Sequence, residues 1–156
     1  MVLAALGLDR QTGLAAVNAW LLAGGVLSAV ASALHLGCIL GGPAWYRFFG
    51  AGERFARAAA RGSPVPALVT LGIATVLAVW AAYAFSGAGL ILPLPLLRLG
   101  LAAITAVYLI RAVVFIPALA LKGLPVEPFA IWSSLIVLVY GVVHAIGLWL
   151  AWGRLG

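Results

Sequence analysis

Charge is what this chain has least of. Only 8% of its 156 residues are charged, and the acids number three: Asp9, Glu53 and Glu127. A soluble domain carries about 25% charged residues, so this chain cannot clothe a water-facing surface. Cysteine is nearly absent too. Cys38 stands alone, which excludes an intrachain disulfide and a multi-thiolate metal site. No carboxylate falls inside any long apolar run, so the acidic proton relay of many transporters is missing. No His-x-x-x-His or Glu-x-x-His pattern occurs either. The start of the chain lacks the basic stretch of a cleavable signal and carries Asp9 and Arg10 instead, so the first apolar run is expected to be retained.

What remains is 66% hydrophobic. Four apolar segments stand out, at about 14–40, 65–85, 99–121 and 130–152. Each reaches about 20 residues, the length a helix needs to cross a hydrocarbon core. The expected fold is an all-α integral membrane protein: one domain over residues 1–156, built as a four-transmembrane-helix bundle. Between the first two spans, Arg54, Arg57 and Arg61 recur at helical spacing in a segment that also holds Glu53, four residues before Arg57. That segment reads as a short amphipathic interfacial helix whose arginines bind lipid headgroups. Trp45, Tyr46, Phe48 and Phe49 precede it as an expected interfacial aromatic belt in the first loop.

The net charge of +6 suits anionic lipid rather than nucleic acid, since no water-soluble basic surface is available to carry it. Arg47, Arg54, Arg57, Arg61 and Lys122 fall in the first and third loops, against Arg10, Arg98 and Arg154 on the other side. The positive-inside rule then places both termini outside the cytoplasm of a bacterial inner membrane.

Arg111 is the anomaly, because it sits about 15 Å inside the third span with no acid in any span to meet it. Counting helix rise puts Tyr108, Tyr140 and His144 in the same middle layer, with Ser28 and Ser32 of the first span reaching it. Thr75 of the second span is a further candidate for that layer, while Trp80 and Tyr83 fall further out. The candidate ligand site is therefore a midplane pocket of Arg111, Tyr108, Tyr140, His144, Ser28 and Ser32. Arginine's planar fork suits carboxylate or phosphate.

Other chemistries fit less well. His35 and His144 differ by about 13 Å in depth, too far to ligate one haem. Ser133 or Ser134 lies about 15 Å along the same helix from His144, beyond reach for a nucleophile and base. A Ser28 or Ser32 pair with His144 across helices is sterically feasible. No cofactor, metal or catalytic group is assigned. Pro125-Val126-Glu127 resembles the Pro-x-Glu element of small membrane lycopene cyclases, but Pro128 stands where those enzymes place a second acid.

The leading expectation is a non-enzymatic protein that binds a small anionic or amphiphilic molecule, with transport as its extension. The alternatives are an accessory subunit whose Arg111 meets a partner's acid, as homo-oligomer or larger complex, and a membrane-embedded enzyme on a lipid or isoprenoid.

Overall fold

The computed structural model describes residues 17–123 and 128–155. Asp9, Arg10, the first residues of the expected first span, and Pro125 to Glu127 lie outside that set. The described residues form α1 (Ala19–Phe48), α2 (Glu53–Ala60), α3 (Val65–Ala88), α4 (Leu97–Leu121) and α5 (Pro128–Ala151), closed by a 3-10 turn at Trp152–Arg154. Four of these helices, α1, α3, α4 and α5, are long and apolar enough to span a membrane. The protein is an all-α integral membrane protein.

Local chemistry sets the helix ends. The Asn18 side chain accepts from the backbone N–H groups of Trp20 and Leu21, an N-cap that stabilises by about 1 kcal/mol. Its Nδ2 also donates to the Gly147 carbonyl at 2.8 Å, fastening the start of α1 to the end of α5. At the other end of α3, Gly89 adopts φ 85°, and Leu90 and Gly89 donate back to Phe85 and Ser86. This left-handed cap needs glycine to be free of strain. The α3–α4 loop is then held by Ser86, whose Oγ donates to the Leu92 carbonyl and accepts from the Leu94 N–H, both at 3.0 Å.

The first span departs from expectation. Helix continues to Phe48 instead of ending near Leu40, so Trp45 to Phe48 are helical and only Phe49 caps them. Within it Gly42 breaks the helix at φ 60°, ψ −144°, and Pro43 follows. Proline suits the first turn of the new segment, where its missing N–H has no helical partner to lose. Past that break, Arg47 grips Glu53 with two hydrogen bonds, Nε to Oε2 at 2.9 Å and Nη2 to Oε1 at 3.1 Å. Tyr46, Cys38 and Ala56 are buried together there, with Phe49, Phe55 and Ala59 around them. α2 is thus an amphipathic helix folded against the end of α1, as expected from its arginine spacing.

The four long helices form a ring in which α1 packs on α3 and α5, and α4 packs on α5 and α3. α1 and α4 occupy opposite corners. Large apolar side chains such as Leu40, Leu68, Ile110 and Trp149 face outward, as a bilayer permits. Close approach occurs where a helix lacks a side chain. A Cβ on Gly147 would lie 2.9 Å from the backbone nitrogen of Leu21, and one on Gly24 2.8 Å from Cε1 of His144.

Candidate functional site

Tyr108 stands at the centre of the bundle, 4% exposed, and touches all three other long helices. Its hydroxyl lies 2.9 Å from Ser28 Oγ on α1. Its ring meets Trp80 of α3 edge-on at 4.9 Å, Tyr140 of α5 at 5.6 Å and His144 of α5 at 5.1 Å between centroids. Four of the six residues expected to share a layer, Tyr108, Tyr140, His144 and Ser28, are brought together here.

His144 is fully buried. Its Nδ1 lies 2.8 Å from the Tyr140 carbonyl. A carbonyl only accepts, so Nδ1 carries the proton. Nε2 is left as a buried atom without a hydrogen-bond partner. Such a group ordinarily costs about 1–3 kcal/mol. Ser28 bonds to Tyr108 rather than to His144, so these groups do not form a nucleophile and base in contact.

Ser32 and Arg111 leave this cluster. Ser32 Oγ donates to the Ala74 carbonyl at 2.8 Å and so ties α1 to α3. Thr75 is exposed and donates to Leu71 on its own helix, outside the layer expected to receive it. Arg111 turns away from Tyr108 toward the end of the bundle that carries α2. Its Nη1 donates to Ser134 Oγ at 3.2 Å and its Nη2 to Ser133 Oγ at 3.4 Å. The guanidinium carbon lies 3.7 Å from the centre of the Phe115 ring, one turn further along α4. This is the snorkelling expected of a long cationic side chain that starts deep in an apolar layer. Its charged head reaches the level of Ser133, about 8 Å from the start of α5.

The electrostatics of this second cluster are one-sided. Among the described residues no carboxylate pairs with Arg111; Glu53, the one acid among them, is held by Arg47 and stands 4.0 Å from Arg57. Ser133 and Ser134 are neutral, and Ser133 Oγ spends its own proton on the Ala130 carbonyl at 3.1 Å. Two N–H donors of the fork are engaged, and only at long distances. Arg111 itself is half-buried. An arginine so placed retains the capacity to receive a carboxylate or phosphate.

The headgroup candidates Arg54, Arg57 and Arg61 are all exposed on α2 and its C-cap. The hydrogen bonds from Arg47 hold the Glu53 carboxyl below its usual range. Two grooves open on the α1–α3 flank. One of about 320 Å³ is lined by Ala29, Ser32, Ala78, Ala81, Ala82, Phe85 and Ile91. Another of about 470 Å³ is lined by Leu36, Ile39, Leu40, Pro64, Ala67, Leu68 and Leu71. Neither touches Arg111.

Sequence reasoning missed four partners: Ser133 and Ser134, weighed only as a nucleophile for His144, and Phe115 and Trp80. Phe115 lies four residues after Arg111, the spacing that stacks side chains on one helix face, and that spacing was legible. Trp80 was expected further out than Tyr108; its long side chain closes the difference, and helix rise alone gives no sign of that. No known protein family, curated protein or solved structure matches this chain.

Proposed function

We propose that this protein binds the anionic head of a small amphiphile through Arg111, in a bacterial inner membrane with the α2 end in the cytoplasm. The observation that supports this is the guanidinium held half-buried by Ser133, Ser134 and Phe115, with no carboxylate partner among the described residues. Its position between α4 and α5 suits a head entering at that level while its tail lies along the apolar outer faces. Arg54, Arg57 and Arg61 on α2 supply the surface grip on anionic lipid. Ser28, Tyr108, Tyr140 and His144 form the closed floor above the site. Movement of the ligand past that floor, and hence transport, calls for an oligomer or a rearrangement of the bundle.

Native mass spectrometry of the gently extracted protein tests the reading. A co-purifying anionic amphiphile that is lost in Arg111→Gln supports it; retention in that variant, with the fold intact, refutes it. A second reading rests on the same guanidinium, which has no carboxylate partner among the described residues: an acid on another subunit would complete it. A co-purifying protein chain lost in Arg111→Gln would establish that role instead. The enzymatic reading has the least support, because no hydrogen bond joins Ser28 to His144 among the described residues.

A further inference from the structure

The two grooves on the α1–α3 flank lie along one seam. On α1 they use Leu40, Leu36 and Ser32, at steps of four. On α3 they use Pro64, Leu68, Leu71 and Ala78, at steps of four, three and seven. These spacings keep each helix on one face. The hydrogen bond from Ser32 to the Ala74 carbonyl separates the grooves, because Ala74 falls between Leu71 and Ala78. Ala74 is ten residues along from Pro64, about 15 Å of helix. That is half of a hydrocarbon core about 30 Å thick. The groove of about 470 Å³ therefore opens at the α2 end of the bundle and stops near the midplane, the depth of one leaflet.

Its mouth is close to a cation. Pro64 follows Arg61, the C-cap of α2, by three residues, at most about 11 Å of chain. The turn between them is tight: Gly62 takes φ 75°, and the Ser63 N–H donates back to the Ala58 carbonyl at 3.0 Å. Arg61 is exposed there. The ion pairs among the described residues join Glu53 to Arg47 and Arg57, and Arg61 takes part in neither. The walls of the groove are wholly apolar.

We propose that this groove binds one anionic phospholipid of the leaflet at the α2 end. An acyl chain lies between α1 and α3 as far as the Ser32–Ala74 tie, and Arg61 holds the phosphate. Apolar walls and a cationic mouth match the two parts of that molecule. The site is separate from Arg111, whose guanidinium meets α5, and is independent of anion binding there. It also differs from a diffuse attraction of the basic α2 surface for anionic lipid. A diffuse field weighs Arg54 and Arg61 alike and is blind to the groove.

Dioleoyl phosphatidylglycerol and dioleoyl phosphatidylcholine share their chains and differ in charge. Each is titrated into the delipidated full chain in detergent, and native mass spectrometry reads the bound fraction. The series is run on wild type and on Arg111→Gln, which silences the site between α4 and α5. On both backgrounds phosphatidylglycerol should bind about fivefold or more tighter than phosphatidylcholine, the worth of one arginine beside an anionic lipid. Arg61→Gln should remove that preference on the Arg111→Gln background. Arg54→Gln, about 10 Å away along α2, should keep it. Ala67→Phe, which fills the groove, should weaken both lipids about fivefold or more; Ala67→Leu is the milder filler if the larger ring disturbs the fold. Equal binding of the two lipids on the Arg111→Gln background overturns the proposal, and a preference seen only in wild type assigns the lipid to Arg111 instead. Equal losses in Arg54→Gln and Arg61→Gln, with binding unchanged in the Ala67 variants, overturn it in favour of the diffuse grip. Retention of the co-purifying amphiphile by Arg111→Gln refutes the Arg111 reading alone, and the groove stands or falls on the Arg61 and Ala67 variants.

Discussion

Ser28 and Tyr108 join opposite corners of the bundle, their hydroxyl oxygens 2.9 Å apart although α1 and α4 are not neighbours in the ring. Removing either hydroxyl leaves the other buried without that partner. Interhelical hydrogen bonds in membrane proteins average about 0.6 kcal/mol and reach about 1.7. Tyr108→Phe and Ser28→Ala should each destabilise the fold by about 0.5–1.5 kcal/mol. The double variant should lose clearly less than the sum, because both polar groups leave together. Thermal unfolding in detergent, read as a double-mutant cycle, checks this; additive losses would show that the two hydroxyls do not act as a pair.

Three glycines give a graded series for close packing. At Gly147 a Cβ meets the Leu21 backbone nitrogen at 2.9 Å, which cannot move aside alone. At Gly24 it meets the His144 ring at 2.8 Å, and the ring is wedged against Tyr108. At Gly72 nothing lies within 4 Å. Alanine at position 147 or 24 should destabilise by about 1–3 kcal/mol. Gly72→Ala should be neutral or stabilise by up to about 1 kcal/mol through helix propensity. The same melting assay ranks them, and a Gly147→Ala variant as stable as Gly72→Ala would contradict the packing.

The clamp between Arg47 and Glu53 makes the docking of α2 sensitive to acid. Arg47 lowers the Glu53 carboxyl, so this contribution is present above the ordinary glutamate range, near pH 4.3. It is lost as pH falls through the lowered folded value. Hydrogen exchange over residues 53–60 should therefore be unchanged, after correction for intrinsic rates, from pH 8 to pH 5. Protection should drop only in more acidic buffer. Glu53→Gln should show the loosened α2 already at neutral pH.

Phe115 lies under the Arg111 guanidinium at 3.7 Å, a cation–π contact with a strength of about 0.5–2 kcal/mol. Phe115→Leu keeps the apolar volume and should let the guanidinium wander. Anion retention should weaken by about three- to tenfold, where 1.4 kcal/mol corresponds to tenfold. Arg111→Lys, which keeps the charge and loses the fork, should weaken retention at least as much. Equal retention in wild type and both variants would mean that the stacked fork does not hold the anion.

The four spans and the surface helix were legible because length and apolarity are what a bilayer selects, and because Arg54, Arg57 and Arg61 repeat with the helix. Helix rise also placed Tyr108, Tyr140, His144 and Ser28 at one depth. Rise says nothing of how far a side chain bends along its own helix. Arg111 starts beside Tyr108 and ends beside Ser133, a displacement set by its long, flexible stem and its aversion to the apolar centre. Ser32 fell to α3 for a related reason: residues four apart on α1 face neighbouring helices once the ring order is fixed, and ring order is not written in any single helix. The continuation past Leu40 was hidden by Gly42 and Pro43, which mark a stop in most helices and here mark a turn.

That turn also sets a length. An unbroken α1 of 30 residues would be about 45 Å long. The other three long helices, of 24, 25 and 24 residues, measure about 36–38 Å. Breaking α1 at Gly42 leaves residues 19–41 as a rod of about 34 Å. The four rods then match one another and a hydrocarbon slab of ordinary thickness, with little need for tilt or local thinning. The remainder is freed to leave the line of the rod and meet α2 through Arg47 and Tyr46. A single glycine thereby tailors the protein to the thickness of its membrane, and restoring helix there, by Gly42→Ala with Pro43→Ala, should leave one corner of the bundle overhanging the bilayer.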